Sequence, residues 1–275
     1  MQDMSATDDL LTRAPLARAH PRTEDLRPPI FDGHLHIIDP RFPLVANQGY
    51  LPPAFTIADY RASTAGFKVL GGAVVSASFQ GFDQRFLAAA LLELGEHFVG
   101  VTQLPPVVTD AEILELDEIG VRAVRFNLYR GGHKDLARLE EVAWRVFDLA
   151  GWHIELYIDS RDLPDLMPRL QALPRVSIDH LGLARSGLPH VLRLAEQGIS
   201  IKASGFGRCD FAIPQALRAI YQVNPAALIF GTDLPSTRAA RPFTGADLIL
   251  IQEALGPHAA RQVLSENAGA LYKLA

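Results

Sequence analysis

Phe31-Asp32-Gly33-His34-Leu35-His36, entered through Ile30, is an apolar run that delivers two histidines separated by one residue. In a β-strand residues i and i+2 point to the same face, so both imidazoles leave the strand end together. Burying two histidines side by side costs desolvation unless a metal, an anion or catalytic partners compensate. The spacing alone suits a pair of core or capping histidines equally well, and the surrounding chain has to decide.

From Ile30 onward, short runs rich in Val, Ile and Phe alternate with longer amphipathic stretches. The runs fall at 30–35, 70–77, 97–102, 121–126, 153–158, 175–179, 199–203 and 227–231, which makes eight candidate strands. Between them, Phe86, Leu87, Ala90, Leu91 and Leu94 follow helical spacing, as do Leu139, Val142, Ala143, Val146 and Leu149. Thr109-Asp110-Ala111-Glu112 reads as a helix start, and Gly95, Gly120, Gly151 and Gly198 stand where helices should stop. Eight βα units with near-continuously apolar strands predict an α/β fold, a single TIM (β/α)8 barrel, with a doubly wound sheet as the alternative. No Gly-x-Gly-x-x-Gly follows the first strand, so a dinucleotide site there has no support. Residues 1–29, with Pro15, Pro21, Pro28 and Pro29 and no sustained periodicity, are expected to form an N-terminal arm, leaving 30–275 for the barrel.

A 48% hydrophobic fraction over 275 residues is enough for a large core and argues against disorder. The single cysteine, Cys209, excludes an intrachain disulfide framework and cysteine-rich metal sites, and it fits a reducing compartment. No apolar run is long enough to span a bilayer, and the acidic start (Asp3, Asp8, Asp9) is unlike a signal peptide. A cytoplasmic protein without membrane association is expected. A net charge of -5 without a basic stripe argues against nucleic acid as a partner.

Barrel active sites lie at the C-terminal ends of the strands. The polar residues there are His34 and His36, Ser76 and Ser78, Gln103, Arg125 and Asn127, Tyr157 and Asp159, Asp179 and His180, Lys202 and Ser204 with Arg208, then Thr232 and Asp233. Three histidines, an aspartate and two arginines gathered at one end of the strands point to chemistry rather than to a solvated surface.

These residues also carry a resemblance. Phe31 to His36, Ser76-Ala77-Ser78-Phe79-Gln80-Gly81, Gly120 to Asn127, Gly151-Trp152-His153, Ile178 to Gly182, Ile201 to Gly205, Phe230 to Pro235 and Glu266-Asn267-Ala268 together resemble the amidohydrolase superfamily. Within it they resemble amidohydrolase-related family 2, the branch with 2-pyrone-4,6-dicarboxylate lactonase and sugar lactonases. The resemblance implies a distorted barrel in which His34, His36, His180 and Asp233 surround a lactone carbonyl, with Asp233 as general base toward water. It implies substrate contacts from Ser78, Arg125, Arg130, Tyr157 and Arg208. Arg125 and Arg208 would be carboxylate binders, because a guanidinium matches a carboxylate with two parallel hydrogen bonds. Arg130 stands in a segment, Leu128-Tyr129-Arg130-Gly131-Gly132, whose spacing departs from the family.

For cofactors, the expectation is that none is required and that at most one divalent ion, zinc or manganese, binds His34, His36, His180 and Asp233. The fourth strand ends in Arg125 and Asn127 rather than a bridging lysine, which disfavours a two-metal centre. Zinc decarboxylases of the superfamily carry a late histidine where this chain has Lys202-Ala203-Ser204. The expected activity is therefore opening of a small anionic lactone. The substrate partner expected is a small-molecule lactone or carboxylate; the alternatives are a metal-dependent hydrolase of a neutral sugar lactone, a zinc decarboxylase, and a barrel that has lost catalysis and only binds a small ligand. A homo-oligomer is compatible with the sequence. Lys202 is read as structural, facing the helices or an internal ion pair, and Asp179 as a contact behind His180 or in a loop. His20, His97, His133, His153, His190, His258 and Cys209 are given no role, and specificity is assigned to loops 40–55, 128–135 and 234–244.

Overall fold

Parallel strands follow one another around the sheet in chain order: β1 (Ile30–Leu35), β2 (Val69–Val75), β3 (Phe98–Thr102), β4 (Val121–Asn127), β5 (His153–Tyr157), β6 (Val176–Ile178), β7 (Ser200–Ala203) and β8 (Leu228–Phe230). The computed structural model describes residues 28–131 and 136–273, so most of the expected N-terminal arm, His20 and His133 lie outside the described residues. Helices on the outside include α1 (Ile57–Thr64), α2 (Arg85–Leu94), α3 (Asp110–Glu118), α4 (Leu128–Gly131), α5 (Leu136–Ala150), α6 (Leu163–Gln171), α7 (Leu188–Glu196) and α8 (Ile213–Val223). After β8 come α9 (Gly245–Leu255), α10 (Pro257–Arg261) and α11 (Asn267–Tyr272). The fold is a TIM barrel. None of the described helices is long and apolar enough to cross a membrane.

The local signals act as expected. Thr109 caps α3 through a reciprocal pair: its Oγ1 accepts from the Glu112 backbone N–H at 3.2 Å, and Glu112 Oε2 accepts from the Thr109 N–H at 2.6 Å. Gly95 ends α2 with φ +92°, a conformation that a residue with a Cβ rarely adopts. The buried faces of α2 (Phe86, Leu87, Ala90, Leu91) and α5 (Leu139, Val142, Ala143, Val146) coincide with the predicted stripes and pack on the strands. Several predicted runs outlast their strands. β2 ends at Val75, β6 at Ile178 and β8 at Phe230, because the residues that follow leave the ladder for tight turns over the barrel mouth.

The ring comes together where β8 meets β1. A Cβ on Gly33 would lie 2.7 Å from the Phe230 carbonyl oxygen, and one on Gly231 would lie 2.7 Å from His34, so only glycine permits the approach. Asp32 ties the seam: Oδ1 accepts from the Thr232 N–H at 2.7 Å, and Oδ2 from the Thr232 hydroxyl at 2.7 Å and the Tyr60 hydroxyl at 3.1 Å. Past the strand ends, Asp233 N–H donates to His34 O at 2.7 Å and His36 N–H to Leu234 O at 2.8 Å. These bonds set the residues just past β1 and β8 in register.

The barrel interior divides by chemistry. Ala73, Val75, Val99, Val101 and Ala123 from β2 to β4 pack with Phe31, Ile229, Leu271 and Tyr272 as an apolar half. The other half is lined from β5 to β7 by the buried His153, Glu155, Ser177 and Lys202, with Asp179 just past β6. Tyr272 of α11 reaches in to donate from its hydroxyl to Gly33 O at 2.9 Å.

Candidate active site

Asp233 lies at the centre of the strand ends, fully buried, with φ +60°. Its Oδ1 faces three imidazoles: His36 Nε2 at 3.6 Å, His180 Nε2 at 3.9 Å and His34 Nε2 at 4.0 Å. Among the described residues neither this oxygen nor His34 Nε2 has a hydrogen-bond partner. His36 Nδ1 lies 2.7 Å from Val75 O, which only accepts, so Nδ1 carries the proton and Nε2 turns a lone pair toward Asp233. His180 is held through Nδ1 by Ser204 Oγ at 2.9 Å. The four residues predicted to form the reacting centre do converge.

His180 gets there by leaving the regular strand path. His180 and Leu181 have φ of +51° and +54°, so the chain turns sharply after β6 and both Asp179 and His180 point into the barrel. Asp179 thus packs on His34 and Arg125, rather than lying on the face away from His180. Below His34, its Nδ1 is 3.4 Å from each of Glu155 Oε1, Asp179 Oδ1 and Lys202 Nζ. Lys202 is an internal ion-pair residue, bonded to Glu155 Oε2 and 4.0 Å from Asp179 Oδ1. Among the described residues Glu155 Oε1 and Asp179 Oδ1 have no hydrogen-bond partner, and their joint approach to His34 Nδ1 favours a proton on that nitrogen.

Burial lowers the pKa of His36 and takes that of His180 well below its ordinary value, so both are neutral near pH 7. Burial also opposes charge on His34, but the Asp179 carboxylate outweighs it and the pKa is raised. Asp233 shows the same contest for an acid: burial pushes its pKa up, while the facing His180 ring and the Arg208 guanidinium hold it well below the usual carboxylate range.

The predicted substrate residues separate into two groups. Arg125 is buried, donating from Nη2 and Nε to Asp179 Oδ2 at 2.8 and 3.1 Å and from Nη1 to Ser76 O at 3.3 Å. Arg208 donates from Nε to Asp233 Oδ2 at 2.7 Å and from Nη2 to Thr237 O at 2.9 Å. Both guanidinium groups, expected to hold a substrate carboxylate, are engaged by carboxylates of the protein. Ser78, Arg130 and Tyr157 line the open cleft above, which encloses about 410 Å³ including its mouth. Tyr157 stacks edge-on against His180 at 5.2 Å and lies under Arg125 at 5.2 Å. Gln103 and Asn127 serve the loops: Gln103 Nε2 donates to Ala77 O at 2.9 Å, and Asn127 Oδ1 accepts from the Arg130 N–H at 3.0 Å. Sequence reasoning missed Tyr50, Thr237 and Arg238 on the same cleft, and Glu155 beneath it. Glu155 did leave a signal, as an acid alternating with His153 and Tyr157 in an otherwise apolar strand.

An amidohydrolase family model matches residues 31–274, from the first strand through the last helix. The chain belongs to the amidohydrolase family. Among amidohydrolase relatives, a 2-pyrone-4,6-dicarboxylate hydrolase of Comamonas testosteroni is 34% identical over 158 residues, 55% of this chain and 51% of that protein. The match therefore spans about half of that relative's length. A 4-sulfomuconolactone hydrolase of Rhizobium radiobacter is 28% identical over 247 residues, covering 81% of each. A crystal structure of an apo protein from Agrobacterium tumefaciens superposes with a TM-score of 0.78 at 24% identity, over 90% of this chain and 96% of that one, which shows the shared fold.

Amidohydrolases frequently hold metal, and the donors here fit one ion. His34, His180 and Asp233 bring one ligand atom each within 4.8 Å of one another, His36 adds a fixed lone pair, and Asp233 Oδ1 is unpartnered. Three imidazole nitrogens and a carboxylate oxygen suit zinc or manganese. A second group, His34, Glu155 and Asp179, has similar spacing, but the Lys202 ammonium is bonded within it and supplies the positive charge.

Proposed function

We propose that this chain hydrolyses the ester bond of a small anionic lactone. The observation that carries the reading is the Asp233 Oδ1, facing His34, His36 and His180 within 3.6–4.0 Å at the C-terminal mouth of the barrel. The named activities of the Comamonas and Rhizobium relatives, both lactone-ring hydrolases by name, support the same class.

In this mechanism the lactone carbonyl enters among the three imidazoles with its ring against Tyr157 and Ser78. Asp233 is ionised throughout the working pH range, takes a proton from the attacking water and returns it to the departing ring oxygen. His34 is the imidazole best able to donate from Nε2 to the carbonyl oxygen, because Asp179 favours its charged form while the Glu155 and Asp179 carboxylates occupy Nδ1. His36 and His180, neutral and fixed by Val75 O and Ser204, orient water and substrate. A divalent ion held by His34, His36, His180 and Asp233 would supply Lewis-acid polarisation of the carbonyl and acidify water. The residues present can hold and move the proton without it, so we expect activity to survive metal removal and at most one equivalent to bind.

The nitrogen and carboxylate donor set also favours a second reading, a metal-dependent hydrolase of a neutral sugar lactone. One experiment separates the two: chelator-treated protein is assayed on a carboxylated lactone and on a neutral sugar lactone, with and without zinc or manganese. Turnover of the carboxylated lactone without metal, reduced at least ~10²-fold in Asp233→Asn, is the expected result. Activity restored only by metal, or confined to the sugar lactone, favours the second reading, and near-normal turnover in Asp233→Asn removes Asp233 as the base.

A further inference from the structure

Four arginines line the cleft: Arg125, Arg130, Arg208 and Arg238. Arg125 and Arg208 are bound to Asp179 and Asp233, and drawing either away would leave a buried carboxylate uncompensated, an expensive outcome in a dry interior. Arg130 and Arg238 differ. Among the described residues neither forms an ion pair; the Arg130 guanidinium lies 5.4 Å from the Tyr129 ring, and Arg238 makes its contacts with Asn47 and Tyr50.

Arg238 is held as a prepared ligand would be. Its guanidinium stacks on Tyr50 at 4.3 Å, with Nη1 donating to Asn47 Oδ1 at 3.3 Å and Nη2 to Asn47 O. Those bonds use two of five N–H donors, both on neutral oxygens, and leave the rest for a guest. The chain that carries it is equally fixed. Asp233, Ser236 and Arg238 all have positive φ, of +60°, +62° and +60°, a region that residues with a Cβ occupy only when their surroundings impose it. Ser236 N–H donates to Asp233 O at 2.5 Å, and Ser236 Oγ accepts from the Phe243 N–H at 3.3 Å, which sets Arg238 at a defined place relative to the general base. Arg130 and Arg238 line the same cleft, and partial burial together with the nearby Arg130 charge depresses the Arg238 pKa. Like charges facing each other across a cleft repel until an anion lies between them.

We propose that Arg238 is a specificity-determining residue that forms, with Arg130, an oxyanion subsite at the cleft mouth for an acidic substituent of the substrate, a carboxylate or a sulfonate. The proposal rests on the lactone reading for the identity of the substrate, but the subsite is tested without turnover.

The test is calorimetric binding of isophthalate, a planar, non-hydrolysable dicarboxylate, against benzoate and neutral benzamide, in the wild type, Arg238→Met, Arg238→Lys and Arg130→Met. The wild type should prefer isophthalate over benzamide, and that preference should weaken with salt. Arg238→Met should weaken isophthalate about 10- to 30-fold, the low end for losing one charge-assisted partner, with benzamide little changed. Arg238→Lys should recover part of the loss, and melting temperatures identify any variant that has lost its fold. Isophthalate binding that needs Arg238 in a protein that opens no lactone sustains the subsite and counts against the lactonase alone. The subsite is overturned if the wild type shows no isophthalate binding at about 10 mM. It is overturned equally if Arg238→Met binds isophthalate like the wild type, or if isophthalate and benzamide weaken alike in a folded variant.

Discussion

Lys202→Met isolates the energetics of the barrel floor. Lys202 is fully buried, with its ammonium on Glu155 Oε2, 3.4 Å from His34 Nδ1 and 5.7 Å from the centre of the Tyr272 ring. Methionine keeps most of the volume and removes the charge. Asp179 then retains Arg125 at 2.8 Å, but Glu155 is left with the 3.4 Å approach of His34 Nδ1 and the 3.8 Å approach of Arg125 Nε, both at Oε1, and with nothing bonded to Oε2 among the described residues. Breaking a buried pair by removing one partner costs about 3–5 kcal/mol, and because Arg125 still covers half of the acidic charge we place this case near ~3 kcal/mol. For a chain of this size, each kcal/mol moves the melting temperature by roughly 2 °C, so a fall of about 6 °C is expected. Lys202→Met combined with Glu155→Gln removes both charges and should recover about 2 kcal/mol of that loss, a coupling measurable by a double-mutant cycle in urea. A single variant within about 1 kcal/mol of wild type, or a double variant whose loss is the simple sum of the singles, would refute the claim that the pair is mutually dependent.

Two further outcomes follow from the same geometry. Arg208→Met takes away the guanidinium bound to Asp233 Oδ2 at 2.7 Å, so turnover of carboxylated and neutral lactones should fall together, by about 10-fold or more, with a lower melting temperature; a loss confined to the carboxylated lactone would assign Arg208 to the substrate instead. Acid should destabilise the fold before the carboxylates titrate. Burial depresses His36, His153 and His180 below 6.5, so the unfolded chain binds more protons below that value and stability falls with pH, while the raised His34 offsets one of the three. His153→Leu should flatten urea midpoints measured between about pH 7 and pH 5 by up to one proton's slope, about 1.4 kcal/mol per pH unit, and an unchanged slope would remove His153 from the account.

What could be read from the sequence, and what could not, divides on the range of the interactions. The βα rhythm, the caps and the meeting of His34, His36, His180 and Asp233 at one end of the barrel follow from local periodicity and from one rule about strand ends. Two-residue alternation failed after β6, because the left-handed turn at His180 and Leu181 brings Asp179 and His180 to the same side. The larger gap concerns partners. Arg125 and Asp179 are 54 residues apart, Arg208 and Asp233 are 25 apart, and nothing local marks either pair. A strand-end arginine looks in sequence like a free cation waiting for substrate. Physically it is the least available one: burial requires a counter-charge within the fold, whereas a loop arginine at the mouth keeps its hydration until a ligand displaces water. In this barrel the counter-charges are Asp179 and Asp233, so among the described residues the cleft arginines left for the proposed anionic substrate are Arg130 and Arg238, carried by the segments after β4 and β8 whose shapes only the fold reveals.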